Sequence, residues 1–270
     1  MAITINTNIA SLNAQRRLAN TTLQLQNTYQ KLSSGLRITR ASDDAAGLAI
    51  ADTLRADQRI ATVAIRNAND GISLVSIADG AIASISDVLS RLSELATQSA
   101  NGVLTSVQRS ALDNEFKALG SEIERIAFTT SFNGLALLSG GAQVSLQIGF
   151  NSASTSQISF SGVAGTLASI GLANSGSSVL IFSLNDTTTS GGQLAARSAL
   201  DAVKGAISSI TASRGILGAA ESRLNVTITN LQVARENFAS AESQIRDVDV
   251  ASEAANLTRL NILQQAGASV

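Results

Sequence analysis

The chain has no cysteine, histidine, proline or tryptophan among its 270 residues. Without histidine and cysteine it lacks the commonest general base, the thiol nucleophile, and the nitrogen and sulfur ligands of zinc, copper and iron sites. The absence of cysteine leaves the redox compartment open, although it suits an extracellular protein without disulfides. Because proline is the residue that interrupts helices, its absence permits long, unbroken ones.

Charge is also scarce. Charged residues make up 14% of the chain, against roughly 25% in soluble domains. A nucleic-acid partner is excluded, because phosphate binding requires clustered Lys and Arg, and here 19 basic residues are scattered among 20 acidic ones. Much of the surface is therefore Ser, Thr, Asn and Gln, which identical neighbours can cover at little desolvation cost.

Two pairs of closely spaced carboxylates stand out, Asp43 with Asp44 and Asp247 with Asp249. Neither pair lies near a glycine-rich phosphate loop or a calcium-binding pattern. Ser42 followed by two acids instead predicts a helix N-cap with acids in the first turn. We expect no enzyme activity, no metal site and no cofactor.

Long hydrophobic runs are missing as well. The start of the chain, residues 1–18, has no basic segment followed by an apolar stretch, and no window approaches ~18 uninterrupted apolar residues. The sequence predicts neither a Sec signal peptide nor a membrane span. A secreted protein of this kind would need another export route.

Two apolar stripes dominate what is present. In residues 61–96 apolar residues recur at gaps of three or four, and in residues 203–245 they recur every seven. We expect two long antiparallel helices, with an ordinary helical bundle as the alternative. The predicted packing seam is Ile65, Ile72, Ile82, Leu89, Leu217, Leu224, Leu231 and Phe238.

Between the stripes the pattern changes. A capping box at Thr105 and Gln108 opens a third helix, and the Asn133–Gly134 turn follows it. Alternation over 143–150, resumed at 158–160, predicts a β-hairpin, and 179–184 can add a strand before Ser190 caps the returning helix. The expected fold is mainly α: a long antiparallel coiled-coil rod with a small β-hairpin region, about 140–186, at its far end.

The two ends of the chain carry too few apolar residues to fold alone. Helical patterns at 5–36, ended by Ser33, Ser34 and Gly35, and at 250–270 are mostly polar. Ordering backbone costs ~1 to 2 kcal/mol per residue, so we expect both ends to be disordered in a monomer and helical in an assembly. We therefore predict a terminal domain of 1–40 with 236–270 and a helical domain of 41–235.

Several segments resemble bacterial flagellin over about the first 140 and last 70 positions. Two of them are NTNIASLNAQRRL and LSSGLRITRASDDAAGLAIA. The matching segments are 6–18, 32–51, 66–74, 122–134 and 236–267.

The resemblance implies a filament subunit for swimming motility, exported unfolded by the flagellar type III apparatus and added beneath a cap. It implies an extracellular flagellum as location, and self, cap and hook-junction proteins and an export chaperone as partners. The alternative within the same apparatus is the hook-filament junction protein. Family members continue past the position matching Val270. The resemblance thus implies either an incomplete sequence or compromised assembly and chaperone binding. Because the centre of the chain is short and carries no match, it also implies no large outer domain.

A third reading, from a different class, is a secreted ligand for a host receptor. By resemblance, Arg91, Leu95 and Glu115 match positions sensed by the flagellin-binding Toll-like receptor. Leu95 lies off the apolar stripe, so we expect it to be exposed. The alternative for Arg91 and Glu115 is that they simply belong to a solvent-exposed helix face and have no receptor role.

Overall fold

The computed structural model describes residues 8–140, 143–160, 163–186 and 188–269. The predicted mainly α fold with small β-hairpins is confirmed. The helices are α1 (Ile9–Ser34), α2 (Ala45–Ser99), α3 (Ser106–Thr129), α4 (Thr189–Arg246) and α5 (Val250–Ser269). The strands are β1 (Ser131–Phe132), β2 (Leu135–Ala136), β3 (Val144–Gln147) and β4 (Gln157–Phe160).

The chain forms two compact units, unit 1 of residues 1–61 with 233–270 and unit 2 of residues 62–232. The hydrophobic core of unit 2 is built mainly from α2, α4 and residues between 137 and 184, with Phe116, Ile123 and Ala127 from α3. The three-and-four spacing of α2 brings its apolar residues onto one face of the helix. Fully buried members of the core include Ile82, Ile85, Leu89, Leu92, Phe116, Ile123, Leu138, Leu167 and Leu172.

The start of α3 is a capping box, as predicted. The Thr105 side chain accepts from the Gln108 backbone N–H at 3.4 Å, and the Gln108 side chain accepts from the Thr105 N–H at 2.9 Å. Two orphan backbone donors are thereby satisfied. The predicted apolar face of this helix packs on the core.

Both hairpins are antiparallel. β1 and β2 are joined by Asn133 and Gly134, whose φ angles of 49° and 79° are left-handed. β3 pairs with β4, Leu146 opposite Ile158, so the predicted hairpin is confirmed. Strand pairing ends at Gln147 rather than at residue 150. The reason is that the Ile148 and Gly149 N–H groups both donate to the Ser156 carbonyl at 2.9 Å, which bends the chain.

Hairpin β3–β4 packs on α2 at a glycine. A Cβ built at Gly71 would collide with the Leu146 side chain, and the Asn67 amide donates to the Gln147 carbonyl at 2.9 Å. Gly71 is therefore used for close approach rather than merely tolerated.

Three sequence expectations are corrected. Ser42 does not cap α2: the helix begins at Ala45, and the Asp44 carboxylate accepts from the Gly47 N–H at 2.9 Å. Ser190 does not cap α4, because the Thr188 hydroxyl accepts from the Gly191 N–H at 3.0 Å. In the described part of 179–184 there is no strand; only an isolated bridge joins Leu180 to Ala173.

In unit 1, α1 packs against α5, and the end of α1 is hydrogen-bonded to the end of α4. Gly35 ends α1 with φ 71° and its N–H donates to the Lys31 carbonyl at 2.9 Å, so the predicted helix stop is confirmed. The Arg37 N–H donates to the Arg246 carbonyl at 2.7 Å, and the Val248 N–H to the Gly35 carbonyl at 3.0 Å. Residues 1–7, with the predicted helix start at Ile5, lie outside the described residues.

By length and composition alone, α2 contains an 18-residue window apolar enough to cross a membrane, with a mean hydropathy of 1.6 and 33% of the window buried inside the protein. The core helix of a soluble protein meets the same criterion. Ile82, Ile85 and Leu89 of this helix are core residues of unit 2. The expectation of no membrane span stays a prediction.

Candidate functional site

The predicted packing seam is distributed over both units. Ile82, Leu89, Leu217 and Leu224 belong to the core of unit 2, with Ile72 packed against it. Leu231 is buried, while Ile65 and Phe238 are half-buried. The structure therefore uses these residues for packing to different degrees, and the seam as a set stays a prediction.

The pair of helices α1 and α5 exposes most of its apolar residues. The buried residues of the pair are Leu25 and Thr28 in α1 and Leu260 in α5. A groove of about 510 Å³ runs along the pair beside Leu18 and Leu263. The exposed fractions are 66% for Ile9, 55% for Leu12, 58% for Leu23, 61% for Ile262 and 52% for Leu263. Several large apolar side chains exposed on one helix pair favour an interaction site there.

The four paired carboxylates serve as local hydrogen-bond acceptors. Asp44 caps α2, the Asp249 side chain accepts from the Ala251 and Ser252 N–H groups at 2.9 and 3.2 Å, and Asp247 accepts from the Ser243 hydroxyl at 2.6 Å. Among the described residues no group of three or more acidic side chains could hold a metal ion.

Asp43 organises the loop before α2. Its carboxylate accepts from the Thr39 N–H at 3.0 Å, from the Thr39 hydroxyl at 3.0 Å and from the Arg40 N–H at 3.1 Å. The backbone hydrogen bond from Thr39 is the largest cause that holds the pKa of Asp43 below its ordinary value of 3.8.

This lowered pKa predicts how the loop responds to acid. A carboxyl group whose folded pKa is depressed stabilises the fold above its unfolded pKa, and that stabilisation is lost as the pH falls through the folded pKa. In an NMR titration the Thr39 and Arg40 amide shifts should move with a midpoint below 3.8. Asp43→Asn should abolish that movement, and a midpoint at or above 3.8 would contradict the assignment.

The positions that resemble receptor contacts are placed unequally. The Arg91 guanidinium donates to Glu115 at 2.8 and 3.1 Å and to Glu94 at 2.9 Å, and the hydrogen bonds to Glu94 and then Glu115 raise the pKa of Arg91. All three side chains are exposed, so these ion pairs contribute little to stability. The expected exposure of Leu95 is wrong: its exposed fraction is 0%, because it packs into the core of unit 2 beside Leu92.

Three charged residues of α3 that the sequence pattern did not predict as buried lie inside unit 2: Arg109, Asp113 and Glu124. The Arg109 guanidinium donates to the Ser99 and Asn101 carbonyls, both at 3.0 Å, where α2 ends. The sequence does hold one indication of this burial. Arg109, Asp113 and Phe116 follow at gaps of four and three, which places the two charged residues on the same helix face as a core phenylalanine.

The two acids of this set fix the irregular segment that crosses α3. Asp113 accepts from the Leu184 N–H at 2.7 Å and the Ser183 hydroxyl at 2.9 Å. Glu124 accepts from the Leu167 N–H at 2.9 Å. A segment without regular secondary structure thus has its backbone donors satisfied by buried carboxylates.

A helical protein with its core in unit 2 and uncovered apolar faces on α1 and α5 is a structural protein suited to association. Family models for the bacterial flagellin N-terminal and C-terminal helical regions match residues 5–143 and 200–270. The chain therefore belongs to the bacterial flagellin family, and it is a structural subunit of the flagellar filament. The resemblance noted in the sequence is confirmed.

The relatives agree with that assignment. The chain is 41% identical to a flagellin of Halalkalibacterium halodurans, over 97% of this chain and 92% of the relative. It is 38% identical to a flagellin of Bacillus subtilis, over 97% of this chain and 93% of the relative.

Solved structures give the same fold. The crystal structure of Bacillus cereus flagellin matches with a TM-score of 0.50 and 28% identity, covering 62% of this chain and 88% of that one. A hook-associated protein of Vibrio parahaemolyticus, at 15% identity and TM-score 0.60, covers 76% of this chain and 100% of that one, and shares the fold alone. The hook-junction alternative is not better supported.

Proposed function

We propose that this subunit polymerises through α1 and α5, whose helices become stable when neighbouring copies cover their apolar faces. The observation that supports this most is the exposure of Ile9, Leu12 and Leu23 on a helix pair with few buried side chains. Burying a side chain of that size contributes about 1.5 to 3 kcal/mol. In an isolated monomer the helix pair lacks most of this burial free energy. The entropy cost of ordering its backbone remains, so the pair is not stable alone.

In this proposal 1–40 with 236–270 is the terminal domain of the filament, and 41–235 is the helical domain. The chain is not an enzyme, which accords with the local hydrogen bonding of its paired carboxylates. It passes unfolded through the flagellar type III apparatus to an extracellular filament. Its further partners are the filament cap, the hook-junction proteins and an export chaperone.

Recognition by a host Toll-like receptor is the second proposal, and its direct contacts are Arg91 and Glu115. Both are exposed and lie next to each other. Leu95 serves only to position α2, because it is buried. Purified monomer should activate a reporter cell, and Arg91→Ala should weaken activation without changing the far-UV circular dichroism. A reporter that ignores wild-type monomer would refute receptor recognition.

Seeding tests the assembly mechanism. Monomer mixed with short fragments of native filament should elongate them into tubes visible by electron microscopy. Helical circular dichroism should increase as α1 and α5 become ordered. The increase should correspond to about the 46 residues of the two helices, 26 plus 20. Monomer alone is the control, and a monomer that already protects the amides of both helices from hydrogen exchange would contradict the mechanism.

A further inference from the structure

The end of hairpin β3–β4 and the neighbouring face of α4 enclose a groove of about 520 Å³ in unit 2. Arg223 lines it together with two apolar side chains, Phe150 and Val226, which are 40% and 59% exposed. The Arg223 side chain forms no ion pair or hydrogen bond with any described residue. An exposed cation flanked by apolar groups is the composition typical of a protein contact surface.

The wall of this groove is held in place by its own hydrogen bonds. The Ser156 carbonyl accepts from the Ile148 and Gly149 N–H groups, and the Asn151 side chain accepts from the Ser156 hydroxyl and the Ala153 N–H. A Cβ at Gly149 would lie 2.7 Å from the Ser156 Cα, so the two segments are in direct contact. A wall formed before binding loses little entropy when a partner docks.

A surface of matching chemistry lies on the first turns of α2, in unit 1. Ile50, Thr53, Asp57 and Ile60 follow at gaps of three, four and three, which places them on one helix face. Ile50 and Ile60 are 54% and 38% exposed. Asp57 is half-buried and makes no ion pair within the described chain. We call these four residues the α2 face.

The spacing of the α2 face continues along the helix to residues that a hairpin covers. After Ile60 the same three-and-four pattern gives Ala64, Asn67 and Gly71. There Leu146 rests on Gly71 and the Asn67 amide donates to Gln147. On this side of α2, Asn67 and Gly71 therefore already pack against a β-hairpin of the same chain.

We infer that the groove at Arg223 binds the α2 face of a second copy of this chain, with Asp57 paired to Arg223 and the isoleucines against Phe150 and Val226. The inference rests on the proposed polymerisation and names one of its contacts. The charges are complementary and both are flanked by apolar groups, which fixes register and excludes water. Groove and face are different surfaces, so the contact is head-to-tail, the type of contact from which an open filament is built.

Charge reversal tests the contact in seeded elongation of the full chain. Arg223→Asp and Asp57→Arg should each raise the critical concentration about tenfold or more, as expected for a close interfacial pair. The double variant should return it to about threefold of wild type, because the pair is restored with its signs exchanged. Lys204→Asp on α4 and Asp70→Arg on α2, both exposed, are the matched controls and should elongate like wild type.

The outcomes separate this contact from the proposed function. Wild-type monomer that fails to elongate filament fragments would refute polymerisation, and the contact with it. Elongation of both single variants at the wild-type concentration, or a double variant as poor as the singles, would refute the contact alone. Melting of each monomer by circular dichroism excludes misfolding, and the milder pair Arg223→Gln and Asp57→Asn should show a smaller loss in the same direction.

Discussion

Replacing Arg109 with methionine should lower the free energy of unfolding by about 3 to 5 kcal/mol. The arginine is fully buried and donates to the Ser99 and Asn101 carbonyls. Each carbonyl left without a donor costs about 1 to 3 kcal/mol. Methionine keeps the aliphatic volume, so the loss measures the hydrogen bonds more than a cavity.

Urea unfolding followed by circular dichroism measures this change, as a lower midpoint at an unchanged slope. Arg125→Met is the matched control on the same helix. Arg125 is exposed and pairs with Glu122 three residues earlier. Such a pair is worth less than about 1 kcal/mol. Equal losses in the two variants would show that the buried guanidinium does not hold the end of α2 to α3.

The burial of Arg109 could not be predicted from the apolar spacing of the sequence. Apolar spacing located α2, α3 and α4 because a helix that buries one face repeats its apolar residues every three or four positions. The same pattern cannot identify a charged residue on the buried face, since its partners lie elsewhere in the chain. Asp113 pairs with Lys117 four residues later, but the donors that explain its burial, Ser183 and Leu184, lie some 70 residues away.

Helix ends were predicted correctly where the sequence offers a single candidate for the capping interaction. Gly35 and the Thr105–Gln108 box are confirmed because their geometry depends on neighbouring residues alone. At the starts of α2 and α4 several adjacent side chains could cap, and Asp44 and Thr188 do so. Leu95 was missed because α2 is covered on more than one side, so its buried face is wider than the stripe.

For α1 the sequence predicted only that the helix has too few apolar residues to fold alone, not which residues form the assembly surface. Substitutions on that surface should have the largest functional effect. The double substitution Leu12→Glu with Leu23→Glu should abolish seeded elongation. The two leucines are 55% and 58% exposed, so the monomer should change by less than about 0.5 kcal/mol. Losing two interfacial side chains costs about 3 to 6 kcal/mol. That loss raises the critical concentration at least about a hundredfold.

A control with the same added charge separates apolar burial from electrostatics. Gln26→Glu with Asn27→Glu places two carboxylates on exposed polar positions of α1. If apolar contact drives assembly, this variant should elongate filament fragments at close to the wild-type critical concentration. Elongation blocked equally in both double variants would mean that negative charge, not the loss of buried leucine, prevents docking. The proposed role of the apolar face would then be wrong.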